Sequence, residues 1–282
     1  MDIKKKLYRL TENMVGGHGI GNLPIIRNLN AKVIEHLKDE FTMVDGHKIF
    51  LDKNDSLLLS INKIYEENET NFIKDSINEG DIVIDIGANI GYYTLLFARL
   101  VGNTGKVYSF EPDPRNCLLL EKNIQINDYN NIVLEKKAIS DKTEKSILYV
   151  TDDNAGSTMN KGNSTTKNEI DIDAITLDDY FKANSIAPDF IKIDIEGYEL
   201  NALKGMKMVL QSSNKIKIMI EYNPLTKIFF NSDPMDSLNF LGELGFKFKD
   251  LNSNSQTFLN FREVTKKYQN TAKLTNFICI KK

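Results

Sequence analysis

Residues Val83 to Thr94 read VIDIGANIGYYT, an apolar β-branched run that breaks at Gly87 and Gly91 and passes straight into an amphipathic stretch. No other feature of the chain limits its fold as much. A buried strand joined to a helix by a glycine turn opens a crossover unit, in which glycine permits both the tight turn and close approach of a ligand to the helix start. The alternation continues through KVYSFEP, PRNCLLLEKNIQIN and NIVLEKKAIS, and resumes later with EIDIDAI, TLDDYFKAN, DFIKIDI, YELNALKGMKMVLQ and KIKIMIEYN. Such a pattern predicts a doubly wound, mostly parallel α/β sheet covered by helices on both faces. A helix over 234–242, a strand over 246–249 and a strand over 277–281, joined by short turns, predict an antiparallel closing strand.

The polar run 152–168, DDNAGSTMNKGNSTTKN, reads as a loop. Residues 1–60 read as an N-terminal extension with a short basic helix, the glycine-rich segment 16–21 and a helix over 31–37, and residues 61–282 as the sheet domain. His18, His36 and His47 all fall in the extension, so the sheet domain has no histidine. With 36 basic and 39 acidic residues, a net charge of -3 and a pI near 5.8, the chain has no field to attract a phosphate backbone. Nucleic acid is not an expected partner. Cys117 and Cys279 stand far apart with no metal-ligand spacing, which excludes a disulfide framework and a zinc ribbon. No signal peptide and no apolar run of about 18 residues is read, so a cytoplasmic protein without a membrane span is expected.

What the glycine turn would bind follows from two acids. Asp85, at the strand end, would repel a pyrophosphate, and a ligand carrying positive charge fits better. Glu111 ends the next strand in Phe110-Glu111-Pro112-Asp113, where a carboxylate accepts hydrogen bonds from both hydroxyls of a ribose. Adenosine and positive charge together point to S-adenosylmethionine. An NAD-binding sheet and a turn that serves only helix packing stay open at this stage. Further on, the period of two in IKIDIE puts Lys192, Asp194 and Glu196 on one face, the last two at the carboxyl end of a buried strand. Unpaired buried carboxylates are costly, so a ligand or proton role is indicated, with neutralisation by Lys192 or capping of the next helix as the alternative. Glu221 and Asn223 end the following strand by the same logic.

The chain resembles the FkbM-type S-adenosylmethionine-dependent methyltransferases through GDIVIDIGANIGYYT at 80–94, FEPDP at 110–114, AISD at 138–141, TLDDY at 176–180 and IKIDIEGYE at 191–199. The resemblance spans about 65–282. It implies a seven-stranded class I methyltransferase sheet and methyl transfer, most often to oxygen, on glycans, polyketides or other small molecules. Carried onto these positions, it implies cofactor contacts from Asp85, Gly87, Ala88, Asn89 and Gly91 at the methionine end, and from Glu111 with Pro112 at the ribose. Ala138 would meet the adenine edge with Ile139, unless both serve strand packing. Glu69 and Thr70, in the segment YEENET, would help close the pocket.

In-line displacement of a sulfonium methyl asks the protein for alignment and water exclusion. A hydroxyl acceptor must also lose its proton, and Glu196 and Asp194 are the expected catalytic acids, with Asp194 also available to the cofactor's amino group. His18 and His47 are rival bases if the extension folds over the site, and 154–158 is a candidate acceptor loop. No metal is assigned. The competing readings are a metal-dependent O-methyltransferase in which Asp194 or Glu196 joins Glu221 and Asn223 around magnesium, an RNA methyltransferase, and a non-catalytic cofactor-binding module.

Overall fold

The computed structural model describes residues 39–151, 156–162, 168–182, 186–253 and 255–281. The chain divides into two units, Met1–Tyr65 and Glu66–Lys282. The expected N-terminal helices, the glycine-rich segment, His18 and His36 lie outside the described residues. The smaller unit carries a hairpin that the sequence reading passed over: β1 (Phe41–Val44) and β2 (His47–Phe50) pair antiparallel, with Val44 opposite His47. Its turn is Asp45-Gly46, with φ of 50° and 84°. Asp-Gly is the pair that a two-residue primed turn favours, because both positions need positive φ. A short helix, α1 (Leu59–Asn62), follows.

The larger unit begins with α2 (Glu67–Ser76) and then alternates as expected: β3 (Ile82–Ile86), α3 (Tyr92–Val101), β4 (Lys106–Phe110), α4 (Pro114–Ile126) and β5 (Ile132–Glu135). Later come β9 (Phe190–Ile193), β10 (Lys217–Tyr222), β11 (Phe246–Asp250) and β12 (Thr275–Lys281). These seven strands form one sheet in the order β11-β12-β10-β9-β3-β4-β5. Parallel pairing runs from β10 to β5, and β12 pairs antiparallel with both β10 and β11. The fold is the doubly wound, mostly parallel α/β sheet of seven strands that the sequence predicts. From β3 the chain winds outward through β4 and β5, then returns to lay β9 on the other side of β3, so the switch point lies between β3 and β9. A crevice for ligands belongs at the carboxyl ends of those two strands.

Several local expectations are corrected. The AI of KKAIS and the EIDIDAI strand leave the main sheet: β6 (Ala138–Ile139), β7 (Glu144–Val150) and β8 (Asn168–Ile175) form a separate sheet in the order β6-β8-β7. Ala138, Leu148, Val150, Ile172 and Ala174 give it a core of its own. Asn168, expected in the loop, starts β8, and Thr158 bridges to Tyr149. After α5 (Leu177–Phe181) and β9, the helix expected over 198–211 is two helices, α6 (Glu199–Lys204) and α7 (Lys207–Gln211), parted at Gly205. The cause is close packing: a Cβ at Gly205 would stand 1.8 Å from the backbone oxygen of Ser140. Gly205→Ala therefore forces backbone apart and should destabilise the fold by about 1–3 kcal/mol. An unchanged melting temperature would show that the two segments separate without cost. Beyond α8 (Thr226–Phe229) and α9 (Pro234–Glu243), an unforeseen α10 (Phe261–Tyr268) precedes the last strand. Its start carries a full capping box between Asn260 and Glu263.

Candidate active site

The glycine turn closes on itself. The amides of Gly87 and Ala88 both donate to the Phe110 carbonyl, at 3.0 and 3.2 Å, and that of Gly91 donates to the Ala88 carbonyl at 2.9 Å. The Asn89 amide donates to Glu111 Oε2 at 2.8 Å, and the Ile90 amide to Asn89 Oδ1 at 2.7 Å. With these donors spent inside the turn, Gly87 to Gly91 offers no amide cradle for a pyrophosphate, which disfavours the NAD reading. Gly87 is required here by geometry as well. Its φ is 80°, and a Cβ would lie 2.0 Å from the backbone oxygen of Asp194, so the segment after β9 rests directly on the turn. Gly91, at φ 97°, faces the Leu120 side chain instead, whose Cδ1 a Cβ would meet at 2.4 Å.

Glu111 holds the turn from the end of β4. Its carboxylate takes the amides of Asn89 and, at 2.9 Å, Asp113. Burial pushes it up to about 7, against the pull of those two amides. Pro112 makes the bend, half-buried, and Asp113 caps α4. Ala138 sits in β6 opposite Ala174 and is 5% exposed, so its methyl group belongs to the small sheet's core. Its side chain serves packing, the alternative left open above.

Asp85, in β3, is 0% exposed, and its Oδ2 accepts the Thr94 hydroxyl at 2.6 Å. Its Oδ1 has no hydrogen-bond partner among the described residues and stands 3.9 Å from Lys192 Nζ. Lys192, 3% exposed, lies 3.3 Å from Asp194 Oδ2 and 5.2 Å from the Tyr93 ring centroid. Burial works against its charge, but Asp194, Asp85 and Glu66 outweigh it and keep the ammonium protonated. A buried cation thus links β3 to the segment after β9.

The alternation that placed Asp194 and Glu196 on one strand face stops at Ile193, where β9 ends. Beyond it the backbone turns, with Glu196 at φ 50° and Gly197 at φ 85°. The acids converge all the same: Asp194, Glu196 and Glu221 each bring an oxygen within 4.8 Å of the others, a donor set able to hold a hard cation. Burial, then Asp194 and Glu199, push Glu196 up to about 8. Burial likewise lifts Glu221 well above the ordinary carboxylate range and Glu199 up to about 7. Thr158, from the candidate acceptor loop, donates its hydroxyl to the Glu196 carbonyl at 2.8 Å; residues 154 and 155 of that loop are outside the described set. Asn223 Oδ1 takes the Leu225 amide at 3.1 Å.

Glu69 and Thr70 lie buried on α2, Glu69 accepting from Asn252 and Asn276 and Thr70 sharing a hydrogen bond with the Tyr92 hydroxyl. Both are committed to contacts within the unit. The acid of this segment that sequence reasoning missed is Glu66, which takes the Tyr93 hydroxyl at 2.7 Å and is pushed up to about 7 by burial and by Asp194. Its signal was its place in YEENET beside Glu69. His47, the described rival base, lies in the smaller unit, 5% exposed in β2.

Comparison with known proteins gives one family: the model of the methyltransferase FkbM domain matches residues 85–248. A hexuronic acid methyltransferase of Haloferax volcanii is 26% identical over 179 residues, 63% of this chain and 68% of that protein. Among solved structures, an S-adenosylmethionine-dependent O-methyltransferase of Thermotoga maritima superposes with a TM-score of 0.46 at 14% identity, covering 86% of this chain and 77% of that one. A precorrin-6y C5,15-methyltransferase of Geobacter metallireducens gives 0.44 at 13% identity, covering 77% and 89%.

Proposed function

The chain belongs to the FkbM methyltransferases, which use S-adenosylmethionine, and from that premise we propose that it methylates a hydroxyl of a glycan or other small molecule. The observation that carries this reading is the meeting of Asp194, Glu196 and Glu221 at the carboxyl edge of the sheet, next to the turn held by Glu111. The donor set fits the cofactor. The turn's amides are spent, and the groups left around the crevice are carboxylates, which suit an ammonium and a ribose diol rather than a phosphate. When bound, the cofactor supplies an electrophilic methyl group.

The chain's own residues then have distinct tasks. Glu111 accepts from the ribose hydroxyls, with Pro112 and the Gly87–Gly91 turn shaping the floor beneath. Asp194, fixed by Lys192, holds the cofactor's ammonium, and Glu196 takes the proton that the acceptor hydroxyl gives up as its oxygen attacks. The likeness to a hexuronic acid methyltransferase of Haloferax volcanii supports a sugar acceptor. The net charge of -3 supports no nucleic-acid partner. The catalytic domain is taken as 61–282, with the reaction in the cytoplasm; both cysteines are free and buried, and no helix among the described residues is long and apolar enough to cross a membrane.

Calorimetric titration with S-adenosylhomocysteine, together with a methyl-transfer screen over glycans and lipids, tests this. Glu111→Ala should weaken binding by about 1.5–3 kcal/mol, the range for hydrogen bonds to a charged group. The carboxylate form is the better acceptor for the two ribose hydroxyls, and Glu111 loses its proton near pH 7. Affinity should therefore rise from pH 6 to pH 8 in the wild type and stay level in the variant. Equal affinity of the two proteins at pH 8 would remove Glu111 from the site.

A further inference from the structure

We propose that Asp194, Glu196 and Glu221 bind one hard divalent cation of the magnesium or manganese class at the carboxyl edge of the sheet. The inference rests on the methyltransferase reading and deepens it, because the cation would share the crevice with the acceptor. The three side chains come from two neighbouring strand ends: Asp194 and Glu196 follow β9, and Glu221 lies near the end of β10, which pairs in parallel with it. One oxygen from each lies within 4.8 Å of the others, close enough for small side-chain shifts to bring all three onto a single ion. An independent observation points to a missing partner. Glu221 Oε2 is shut off from solvent and has no hydrogen-bond partner among the described residues. A buried carboxylate oxygen without a partner is costly, and a cation satisfies it where no protein donor does.

The local charge leads the same way. Lys192 makes its short contact to this group through Asp194, its ammonium also faces Asp85, and only a weaker attraction reaches Glu196. Glu196 and Glu221 are left to repel each other, Asp194 and the nearby Glu199. An all-oxygen donor set selects magnesium, manganese or calcium over zinc or copper. Three protein ligands leave further coordination positions for water and acceptor oxygens, the arrangement in which magnesium is usually held. A hydroxyl bound there would have its proton loosened by the ion, with Glu196 still the group that accepts it.

The test uses the full-length protein and Mn2+ as probe, followed by electron paramagnetic resonance and by calorimetry, with S-adenosylhomocysteine titrated in parallel. The expected result is one equivalent of Mn2+ bound, displaced by Mg2+, with at least tenfold weaker binding in Glu221→Gln and in Glu196→Gln. Both substitutions keep side-chain size and remove a repelling charge, and thermal melting checks that each variant is folded. A wild type that binds S-adenosylhomocysteine but takes up no Mn2+ at millimolar concentration overturns the cation site and leaves the methyltransferase reading standing. Undiminished Mn2+ binding in both folded variants overturns the assignment to these residues. Mn2+ uptake by a protein that never binds S-adenosylhomocysteine keeps the cation site and undoes the methyltransferase reading instead.

Discussion

Glu196→Gln turns over acceptor roughly 10²–10⁴-fold more slowly at saturating cofactor and acceptor, while binding S-adenosylhomocysteine as the wild type does. The substitution is close to isosteric, and Gln tolerates the left-handed backbone at this position no worse than Glu, whose φ is 50°. It removes one negative charge from a group in which burial, Asp194 and Glu199 already oppose ionisation of Glu196, so the fold loses only the weaker attraction of Lys192. What disappears is the ability to take a proton. Asp194→Asn behaves differently, because it replaces a charge-assisted contact to an ammonium with a neutral one and loses cofactor affinity together with turnover. Steady-state kinetics beside calorimetry separate the two variants. Near-normal turnover in Glu196→Gln would pass the proton to His18, His47 or water. Lost turnover with Mn2+ binding retained would mark Glu196 as a base alone, and loss of both would mark it as a ligand.

How far the sequence was legible depended on the range of the interaction concerned. The β3 turn and its helix were read correctly because glycine spacing and apolar period are local signals. The convergence of Asp194 and Glu196 was anticipated, but for a reason that holds only as far as Ile193. Beyond that residue it is the turn at Glu196 and Gly197 that aims the acids, and Gly87 leaves room for the Asp194 carbonyl beside it. Asp85 shows the opposite failure. A carboxylate at a strand end looks like a ligand contact, yet its surroundings are set by Lys192 on a strand more than a hundred residues later, and no local pattern encodes that pairing. The strands now β6 and β8 were assigned to the main sheet for the same reason, since they were recognised but not their partners, and β7 was not read at all. By contrast, the Asp45-Gly46 hairpin and the Asn260–Glu263 capping box were locally encoded signals left unread.

Lys192→Met should lower the stability of the larger unit by about 3–5 kcal/mol, the cost of removing one partner from a buried ionic group. Methionine fills most of the volume, so the loss is electrostatic rather than a cavity effect. In the wild type, Lys192 Nζ stands 3.3 Å from Asp194 Oδ2 and 3.9 Å from Asp85 Oδ1, and Asp85 is fully buried with that oxygen otherwise unpartnered among the described residues. Once the ammonium is gone, Thr94 remains the donor to Asp85, and burial already holds the Asp85 pKa above its usual value. The pKa must then rise further in the folded variant, while in the unfolded chain it stays ordinary. A group whose folded pKa is raised keeps its proton in the fold and gives it up on unfolding, so stability falls as pH rises between the two values. The deficit of Lys192→Met is therefore expected to be smallest near pH 4 and to widen toward pH 8, as measured by urea midpoints with an unchanged m-value. Pairing the change with Asp85→Asn should recover part of the loss and flatten its pH dependence, because the two sites share one interaction and their effects cannot add. A deficit independent of pH, or full additivity of the two substitutions, would show that Lys192 and Asp85 are not coupled in the folded protein.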